Sequence, residues 1–347
     1  MNNKNIFTFL GKLFAFVTPF VVLIVLYFYV DPFKVIKNYS SFYRSGYPQY
    51  VVLNKGFVST ATFDRYNSIY HYNSFVLGNS RSIFYEVSDW VPYLNGINKC
   101  FHFDASNENI YGIYKKVKYL DFKMSQIDNV LLILDHSTLS DAKPHAEGHL
   151  FIIPPQLENN QNFFQFHLAF IKSFLNPRLL FGLMDLNLFG EIRTYMKKAS
   201  LFDDRPVVYD LISNEIRFEY FEEMIDEDES LYYQSRKHLF YTRTGKREYS
   251  RPSIYSEQKK CLEEIKRIFN KHKTNYKIII NPLYDQIALN QNDLNYLDNL
   301  FGAQNVFDFS GINEYTNDYK NYYETSHYRP QVARRIIQAI YKNTELQ

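Results

Sequence analysis

The chain has 347 residues, of which 46% are hydrophobic and 22% charged, a balance typical of a globular protein with a substantial core. Its 39 Lys and Arg residues nearly match its 37 Asp and Glu residues, so no basic surface indicates a nucleic-acid partner. Two cysteines are too few for a disulfide framework. We predict that Cys100 and Cys261 are buried packing residues.

The first element is an apolar run from Leu13 to Val30, eighteen residues without a charge, close to the length of a membrane-spanning helix. Residues 6–10 extend the run past Lys12. No small-residue cleavage pattern follows it, which favours an uncleaved signal anchor over a removed signal peptide. The flanking basic residues give a small bias toward a cytoplasmic N-terminus. We therefore expect residues 1–38 to comprise a cytoplasmic N-terminus, a transmembrane anchor and a connector.

Strands and helices then alternate along the chain. Short apolar runs predict five strands, at residues 73–78, 99–103, 129–134, 276–281 and 305–309. Helical spacing of apolar residues predicts four helices, from Ile110, over 256–271, near 293–301 and from Pro330. Strands separated by helices imply a mostly parallel sheet with helices on both faces.

The alternation is interrupted over residues 144–253, which are aromatic and irregular. About 110 residues are too many for a loop, so this segment is predicted to be an insertion or lid subdomain. Its acidic run, 219–230, is expected to be a solvated face rather than a cation site. Residues 39–143 and 254–347 are predicted to form the two parts of one α/β domain around the insertion.

Two short motifs carry the chemistry. Gly78-Asn79-Ser80 follows the first predicted strand, and in open α/β sheets ligands bind beyond the carboxyl ends of the strands. A serine hydroxyl at this strand-to-helix turn would lie near a helix N-terminus, which favours a developing negative charge. A nucleophilic serine needs a base and the base needs an orienting partner; Glu324 and His327 have a spacing that suits these roles. The competing interpretation is structural, with Ser80 in a tight turn and His327 capping the last helix.

The two motifs resemble the first and last blocks of the SGNH (GDSL-type) hydrolase superfamily, Gly-Asp-Ser and Asp-x-x-His. The last block stands within the run VFDFSGINEYTNDYKNYYETSHYRPQVARRII. This run is similar to segments of membrane-anchored SGNH-like proteins of bacterial cell-surface assembly, including teichoic-acid D-alanylation and alginate O-acetylation accessory proteins. The resemblance covers about residues 73–139 and 256–347.

The resemblance implies a three-layer α/β/α sandwich with a mostly parallel sheet (SGNH/flavodoxin-like), preceded by the transmembrane helix and interrupted by the large insertion. It implies Ser80 as nucleophile, His327 as base and Glu324 as the orienting acid, with no cofactor and no metal. Glu324 departs from the family's Asp, and Asp308 and Asp318 remain alternatives for the acid.

The second and third family blocks are less well matched. The second block supplies a backbone donor to the oxyanion, and the third supplies an Asn that the stretch LLILDHSTL lacks. Each lost donor costs about two to three powers of ten in rate. The residues expected to contact the oxyanion or substrate are Asn79, Arg81, Ser106, Asn107, Asp135 and His136. The pair His145 and His149 is expected to rim the site rather than bind metal, because Gly148 argues against a helix there.

The resemblance implies a membrane-anchored extracytoplasmic serine esterase or O-acyltransferase that acts on a cell-surface polysaccharide through an acyl-serine intermediate. Its expected partners are the polysaccharide or its acyl donor, the membrane, and a membrane-bound O-acyltransferase. The alternative is a non-catalytic glycan-binding or assembly scaffold, favoured by the missing Asn and by Glu in place of Asp. A lipid esterase is a third hypothesis and predicts an apolar acyl groove.

Overall fold

A computed structural model describes residues 3–123, 126–145, 147–159, 162–197 and 201–342. Its α-helices are α1 (Asn3–Val30), α2 (Lys55–Tyr70), α3 (Val87–Trp90), α4 (Ile110–Phe122), α5 (His136–Leu139), α6 (Phe163–Phe174), α7 (Pro177–Phe189), α8 (Glu219–Ser235), α9 (Ser256–His272), α10 (Gln291–Phe301) and α11 (Pro330–Lys342). Its strands are β1 (Tyr47–Pro48), β2 (Ser74–Leu77), β3 (Cys100–His102), β4 (Asn129–Leu134), β5 (Pro206–Asp210), β6 (Glu215–Arg217), β7 (Glu248–Tyr249), β8 (Asn275–Ile280), β9 (Ile287–Ala288), β10 (Val306–Asp308), β11 (Tyr322–Glu324) and β12 (His327–Tyr328).

Five strands form a parallel sheet in the order β10-β8-β4-β2-β3. All six residues of the central strand β4 are buried, which explains its continuous apolar sequence. The chain order reverses between β2 and β4, so the carboxyl ends of these two strands lie side by side at a topological switch point. The predicted α/β class and the predicted parallel sheet are confirmed, and all five predicted strands are present.

Alternate side chains of the sheet enter two separate hydrophobic clusters. Leu132 and Ile278 join the cluster that contains the apolar faces of α4, α9 and α10. Leu131 and Ile279 join the other, which contains Trp90 and the apolar face of α11. Both faces of the sheet are therefore covered. Cys100 and Cys261 are buried and free, as predicted.

Helix α2 has no counterpart among the predicted elements. It begins after Asn54, whose side chain accepts a hydrogen bond from the N–H of Phe57. The buried face of α2 includes Lys55, Ser59 and Thr60, so polar residues interrupt the apolar periodicity that would reveal a helix.

Residues 144–253 contain three helices, α6 to α8, and a β-hairpin of β5 and β6. β5 also pairs antiparallel with β1, so Val207 of this segment lies opposite Tyr47, near the start of the predicted α/β domain. The apolar stretch FFQFHLAFIKSFL, whose sequence is typical of a helix, forms α6, whereas the β-hairpin is not among the predicted elements. Its boundaries as a subdomain stay a prediction.

Helix α1 includes 25 residues, Ile6–Val30, that are long and apolar enough to span a membrane or to serve as a signal sequence. Its end packs on the rest of the chain, because Tyr27 is fully buried and its ring lies 5.4 Å from that of Phe174. Asp31 follows, and its carboxylate accepts hydrogen bonds from the N–H groups of residues 35–37 at 2.9 to 3.2 Å. These contacts fix the direction in which the chain leaves α1.

The aromatic packing of α2 against the sheet gives a stability prediction. Phe63 is fully buried and stacks on Phe103 at 5.5 Å. We expect Phe63→Ala to lower the free energy of unfolding by about 3 to 5 kcal/mol, because it leaves a cavity. Urea unfolding in detergent, followed by the fluorescence of the single tryptophan Trp90, measures the change. The control Phe122→Ala removes a ring that is 70% exposed and should cost less than about 0.5 kcal/mol; equal losses would contradict the packing described.

Candidate active site

The end of β2 delivers Ser80 through a close backbone approach. A Cβ on Gly78 would lie 2.8 Å from the carbonyl oxygen of Ile133, so only glycine fits between β2 and β4. Ser80 then begins a five-residue 3₁₀ helix, Ser80–Phe84. The expectation of a helix N-terminus at Ser80 is therefore met by this short 3₁₀ element. Because this helix contains few aligned peptide units, its dipole has little effect on the Ser80 hydroxyl.

The β11–β12 hairpin delivers the other two residues. Glu324 and His327 are paired across a tight turn, and the Glu324 carboxylate accepts the N–H of Ser326 at 2.6 Å. Nδ1 of His327 lies 2.5 Å from Oε1 of Glu324, and Nε2 lies 3.1 Å from Oγ of Ser80. Because a carboxylate can only accept, Nδ1 carries the proton and Nε2 can accept from the serine hydroxyl. The structure thus brings Ser80, His327 and Glu324 into one hydrogen-bonded chain.

Glu324 is ionised in this arrangement. Burial raises the pKa of its carboxyl, but the hydrogen bond and charge of His327, together with the N–H of Ser326, outweigh burial and lower that pKa below its ordinary value. An ionised Glu324 stabilises positive charge on His327 when the ring takes a proton.

Asn79 and Arg81 hold the serine turn from behind. The Asn79 side chain accepts the N–H of Arg81 at 3.0 Å and donates to Asp135 at 3.0 Å and to Thr138 at 3.1 Å. Arg81 donates through Nη1 to Asp135 at 2.7 Å and through Nε to the carbonyl oxygen of Ser326 at 3.0 Å. These contacts connect the ends of β2 and β4 to the hairpin that carries His327.

Asp135 is 1% exposed, and its carboxylate is occupied by these contacts. Burial raises its pKa, but the charge of Arg81 and hydrogen bonds from Ser137, Thr138 and Asn79 outweigh burial and hold the pKa well below its ordinary value. Asp135 is therefore an ionised structural group, and it acts on Ser80 only through Asn79 and Arg81.

Ser80, Glu324 and His327 line a cleft of about 300 Å³. Ile83 and Phe84 of the 3₁₀ helix form part of its wall. Residues 203–236 supply an adjoining part of the wall; its apolar members are Val207, Ile216, Phe218 and Phe221, and the ring of Phe218 lies 6.5 Å from that of Phe84. The predicted insertion therefore contributes directly to the surface around Ser80.

Ser106 lines the same cleft, as expected for the loop after β3. Within the part of the chain that the structure describes, the backbone N–H groups of Ser80 and Ser106 donate to no protein acceptor. They are the available donors for an oxyanion. Asn107 is exposed, has a φ of 50°, and its carbonyl oxygen accepts from His145 at 3.0 Å.

The remaining predicted residues lie elsewhere. Asn79, Arg81, Asn107, Asp135 and His136 are not among the described side chains that line the cleft. Nε2 of His136 lies 3.3 Å from Asp285 at the end of β8.

The alternative acids are also engaged away from His327, since Asp308 accepts from Ser310 and Asp318 from Lys320. The structure gives Glu324, and neither of these, the contact with His327.

Lys55 is a cleft residue that the sequence analysis does not find. It is 4% exposed, and its Nζ lies 3.5 Å from Asp104. Burial lowers the pKa of Lys55. At Asp104 burial raises the pKa, but the nearby Lys55, His102 and Lys116 outweigh burial, and the pKa falls to about 2. The polar start of α2 gives no signal for this buried pair.

Two arginines from residues 144–253 also face the cleft. Arg205 is paired with Asp203, and the guanidinium of Arg236 lies over the ring of Phe221 at 4.9 Å. The β-branched and aromatic residues of PVVYD and the short run EIR, separated by a turn that contains Asn214, are a sequence signal for this hairpin. In the structure Asn214 has a φ of 59°.

Among the described residues, no group of three or more His, Cys, Asp or Glu side chains could hold a metal ion. His149 is mostly buried, contacts Ser173 at 2.8 Å and packs on Phe33. Burial lowers its pKa to about 4.

No protein-family model matches the sequence, and no curated protein matches it. The interpretation of the site therefore depends on the geometry above.

The Arg81–Asp135 pair gives a pH-dependent prediction. We expect Asp135→Asn to lower the free energy of unfolding by about 2 to 3 kcal/mol at pH 7, because Arg81 loses its counter-charge. The lowered pKa means that ionised Asp135 stabilises the fold above its ordinary pKa of about 3.9. This contribution is lost as the pH falls through the lower folded-state value. The difference between variant and wild type should therefore shrink toward pH 2.

Urea unfolding at a series of pH values measures this difference. Asp285→Asn is the matched control. Asp285 lies in the loop that follows β8, its side chain is 25% exposed, and among charged groups it contacts the partly exposed His136. The substitution should cost less than about 1 kcal/mol. A difference for Asp135→Asn that stays constant down to pH 2 would contradict the assignment.

Proposed function

We propose that the chain is a membrane-anchored, extracytoplasmic serine esterase or O-acyltransferase of the SGNH type that acts on a cell-surface polysaccharide. The observation that carries this proposal is the pair of contacts from His327, 3.1 Å to Ser80 and 2.5 Å to Glu324. A serine, a histidine and a carboxylate in this order are the constellation of acyl-transfer enzymes on unrelated folds.

In the first step, Oγ of Ser80 attacks the carbonyl carbon of an ester while Nε2 of His327 takes the hydroxyl proton. The negative charge on the carbonyl oxygen is stabilised by the backbone N–H groups of Ser80 and Ser106. Collapse of the tetrahedral intermediate breaks the ester bond, and the departing alcohol takes the proton from His327. The acyl group remains on Ser80.

In the second step, His327 removes a proton from water or from a sugar hydroxyl, whose oxygen attacks the carbonyl carbon of the acyl-serine. Collapse of this second tetrahedral intermediate breaks the bond to Oγ of Ser80, which takes the proton back from His327, and releases the acid or the acylated sugar. Attack by water results in hydrolysis, and attack by a sugar hydroxyl results in acyl transfer. Transfer requires that water be excluded, and the wall supplied by Ile216 and Phe221 covers one side of the cleft.

Retention of α1 as an anchor supports a location at the membrane. Cleavage after the apolar run would remove Tyr27, which is fully buried against Phe174. An enzyme held beside the bilayer can receive acyl groups from a membrane-bound O-acyltransferase, the partner that the family resemblance implies. The proposal requires the connector after Val30 to lie outside the cytoplasm.

The proposal includes the finer architecture, a three-layer α/β/α sandwich of the SGNH or flavodoxin-like kind. Two hydrophobic clusters on opposite faces of the sheet support it, and so does the reversal of strand order beside Ser80.

A non-catalytic glycan-binding or assembly scaffold is the second candidate. The observation that favours it is Asp135, which stands where the family has an oxyanion-donating Asn and whose carboxylate is occupied by Arg81 and Asn79. Without that Asn, the two backbone N–H groups of Ser80 and Ser106 would be the oxyanion donors. The loss of one donor would raise the barrier for acyl transfer by about 3 to 4 kcal/mol.

Labelling of the full chain with a fluorophosphonate probe separates the two candidates. The enzyme proposal predicts labelling that is abolished in Ser80→Ala, because the variant lacks the attacking oxygen. His327→Ala and Glu324→Gln should slow labelling by about three to four powers of ten, because Ser80 loses its base or the base loses its tautomer.

Ser140→Ala removes an exposed serine outside the cleft and should label like the wild type. The Trp90 emission of each variant verifies that it is folded. If the folded wild-type chain is not labelled by the probe, the enzyme proposal is wrong and the scaffold is favoured.

A further inference from the structure

Helices α6 and α7 form a hairpin against the last two turns of α1. Tyr27 of α1 is the fully buried residue at this contact, and its ring packs on Phe174 at the end of α6. An apolar groove of about 740 Å³ separates α1 from α7. It is lined from α1 by Leu23, Leu26 and Val30 and from α7 by Leu180, Leu183 and Met184.

The face of α7 that borders this groove is apolar and exposed, and Phe181 and Met184 also line the groove. Phe181, Met184 and Leu188 follow one another at helical spacing and share this face; they are 62%, 58% and 73% exposed. Large apolar side chains at this density are unusual on a surface that faces water and mark a contact with another apolar phase.

The orientation of this face is fixed by packing on the opposite side of α7. Leu179 is fully buried there. A Cβ on Gly182 would lie 2.6 Å from the ring of Phe202, so the absence of a side chain lets Phe202 pack directly on the helix. The helix therefore cannot rotate to bury Phe181, Met184 and Leu188.

The position of the groove along α1 indicates that the apolar phase in contact with α7 is the lipid bilayer. Leu23 precedes Val30 by seven residues, which is about 10 Å along a helix with a rise of 1.5 Å per residue. Almost none of the apolar segment of α1 is buried in protein. If α1 spans the bilayer and leaves it near Asp31, α7 lies beside the outermost 10 Å or so of the anchor. Interfacial helices bury their apolar faces to about 5–10 Å, the same depth.

Basic residues flank the turn between α6 and α7, and side chains of this length can extend to lipid headgroups from the outer part of a leaflet. Lys172 and Arg178 stand on either side of the turn between α6 and α7 and are exposed. Neither forms an ion pair within the described residues. Exposed cations beside an apolar face favour anionic headgroups.

We propose that the α6–α7 hairpin inserts Phe181, Met184 and Leu188 into the leaflet from which α1 emerges, so that lipid acyl chains cover this face and anionic headgroups contact Lys172 and Arg178. The inference rests on the membrane anchor of the proposed function and is independent of the chemistry at Ser80. It gives the chain a second membrane contact, which limits how the domain can tilt about α1.

Depth-dependent quenching tests the proposal on the full chain in nanodiscs of phosphatidylcholine and phosphatidylglycerol. The environment-sensitive dye NBD is attached at Met184→Cys or Leu188→Cys and quenched by doxyl-labelled phospholipid. Val22→Cys, in the middle of α1 and 57% exposed, reports the anchor, and Ile97→Cys, 83% exposed before β3, reports an apolar site on the sheet domain. The native Cys100 and Cys261 are buried, and burial raises their thiol pKa values to about 12 and about 11, so they react slowly.

We expect quenching at Met184→Cys and Leu188→Cys within about twofold of that at Val22→Cys and several-fold above that at Ile97→Cys. Quenching at Val22→Cys with none at the two α7 positions would overturn this proposal while leaving the anchor intact, and would leave the face to a protein partner. Absence of quenching at Val22→Cys as well would overturn the anchor and this proposal together. Probe labelling of Ser80 is unaffected by either result, so the two proposals fail separately.

Discussion

The ion pair between Arg81 and Asp135 is the contact on which the geometry of the site depends. It joins the end of β2 to the end of β4, and the same guanidinium holds the carbonyl oxygen of Ser326, 245 residues further along the chain. Buried ion pairs contribute little net stability, because desolvation offsets their attraction. The role of this pair is therefore positional: it sets the separation between the serine turn and the hairpin of His327. A shift of 1 Å in that separation would break the hydrogen bond from Ser80 to His327.

A second set of buried charges fixes the loop that carries Ser106. Asp104 at its start contacts Lys55, and Glu108 at its end contacts Lys116 at 2.8 Å. Burial raises the pKa of both carboxyls. At Asp104 the charges of Lys55, His102 and Lys116 and the hydrogen bond of His102 outweigh burial, and the pKa falls to about 2, whereas at Glu108 burial outweighs Lys116 and the pKa rises to about 7. Because contacts with Lys55 and Lys116 hold both ends of the loop, the N–H of Ser106 is available without rearrangement of the loop. A donor that needs no reorganisation stabilises a developing charge best.

The sequence predicts those parts of the molecule that are specified by residues close together in the chain. The five core strands are read from continuous apolar runs, and Ser80, Glu324 and His327 from two short motifs with family resemblance. The rest depends on partners far apart in the chain. Asn79 and Asp135 are recognisable as polar residues at strand ends, but only the fold shows that they bind each other rather than substrate. Likewise, polar residues on the buried face conceal α2, and the cleft wall comes from strands of three to five residues.

The wall of the cleft and helix α1 are linked through residues 31–51. Val207 of β5 lines the cleft and pairs with Tyr47, which follows α1 and the turn fixed by Asp31. Phe202, just before β5, forms a bridge to Val51 and packs on Gly182 of α7. The β5–β6 wall of the cleft is therefore joined on one side to α1 and the α6–α7 hairpin. On the other side it is joined to the sheet that carries Ser80, because the N–H of His102 donates to the carbonyl oxygen of Ser213 at 2.8 Å and the Asn214 side chain donates to the carbonyl oxygen of His102 at 2.7 Å.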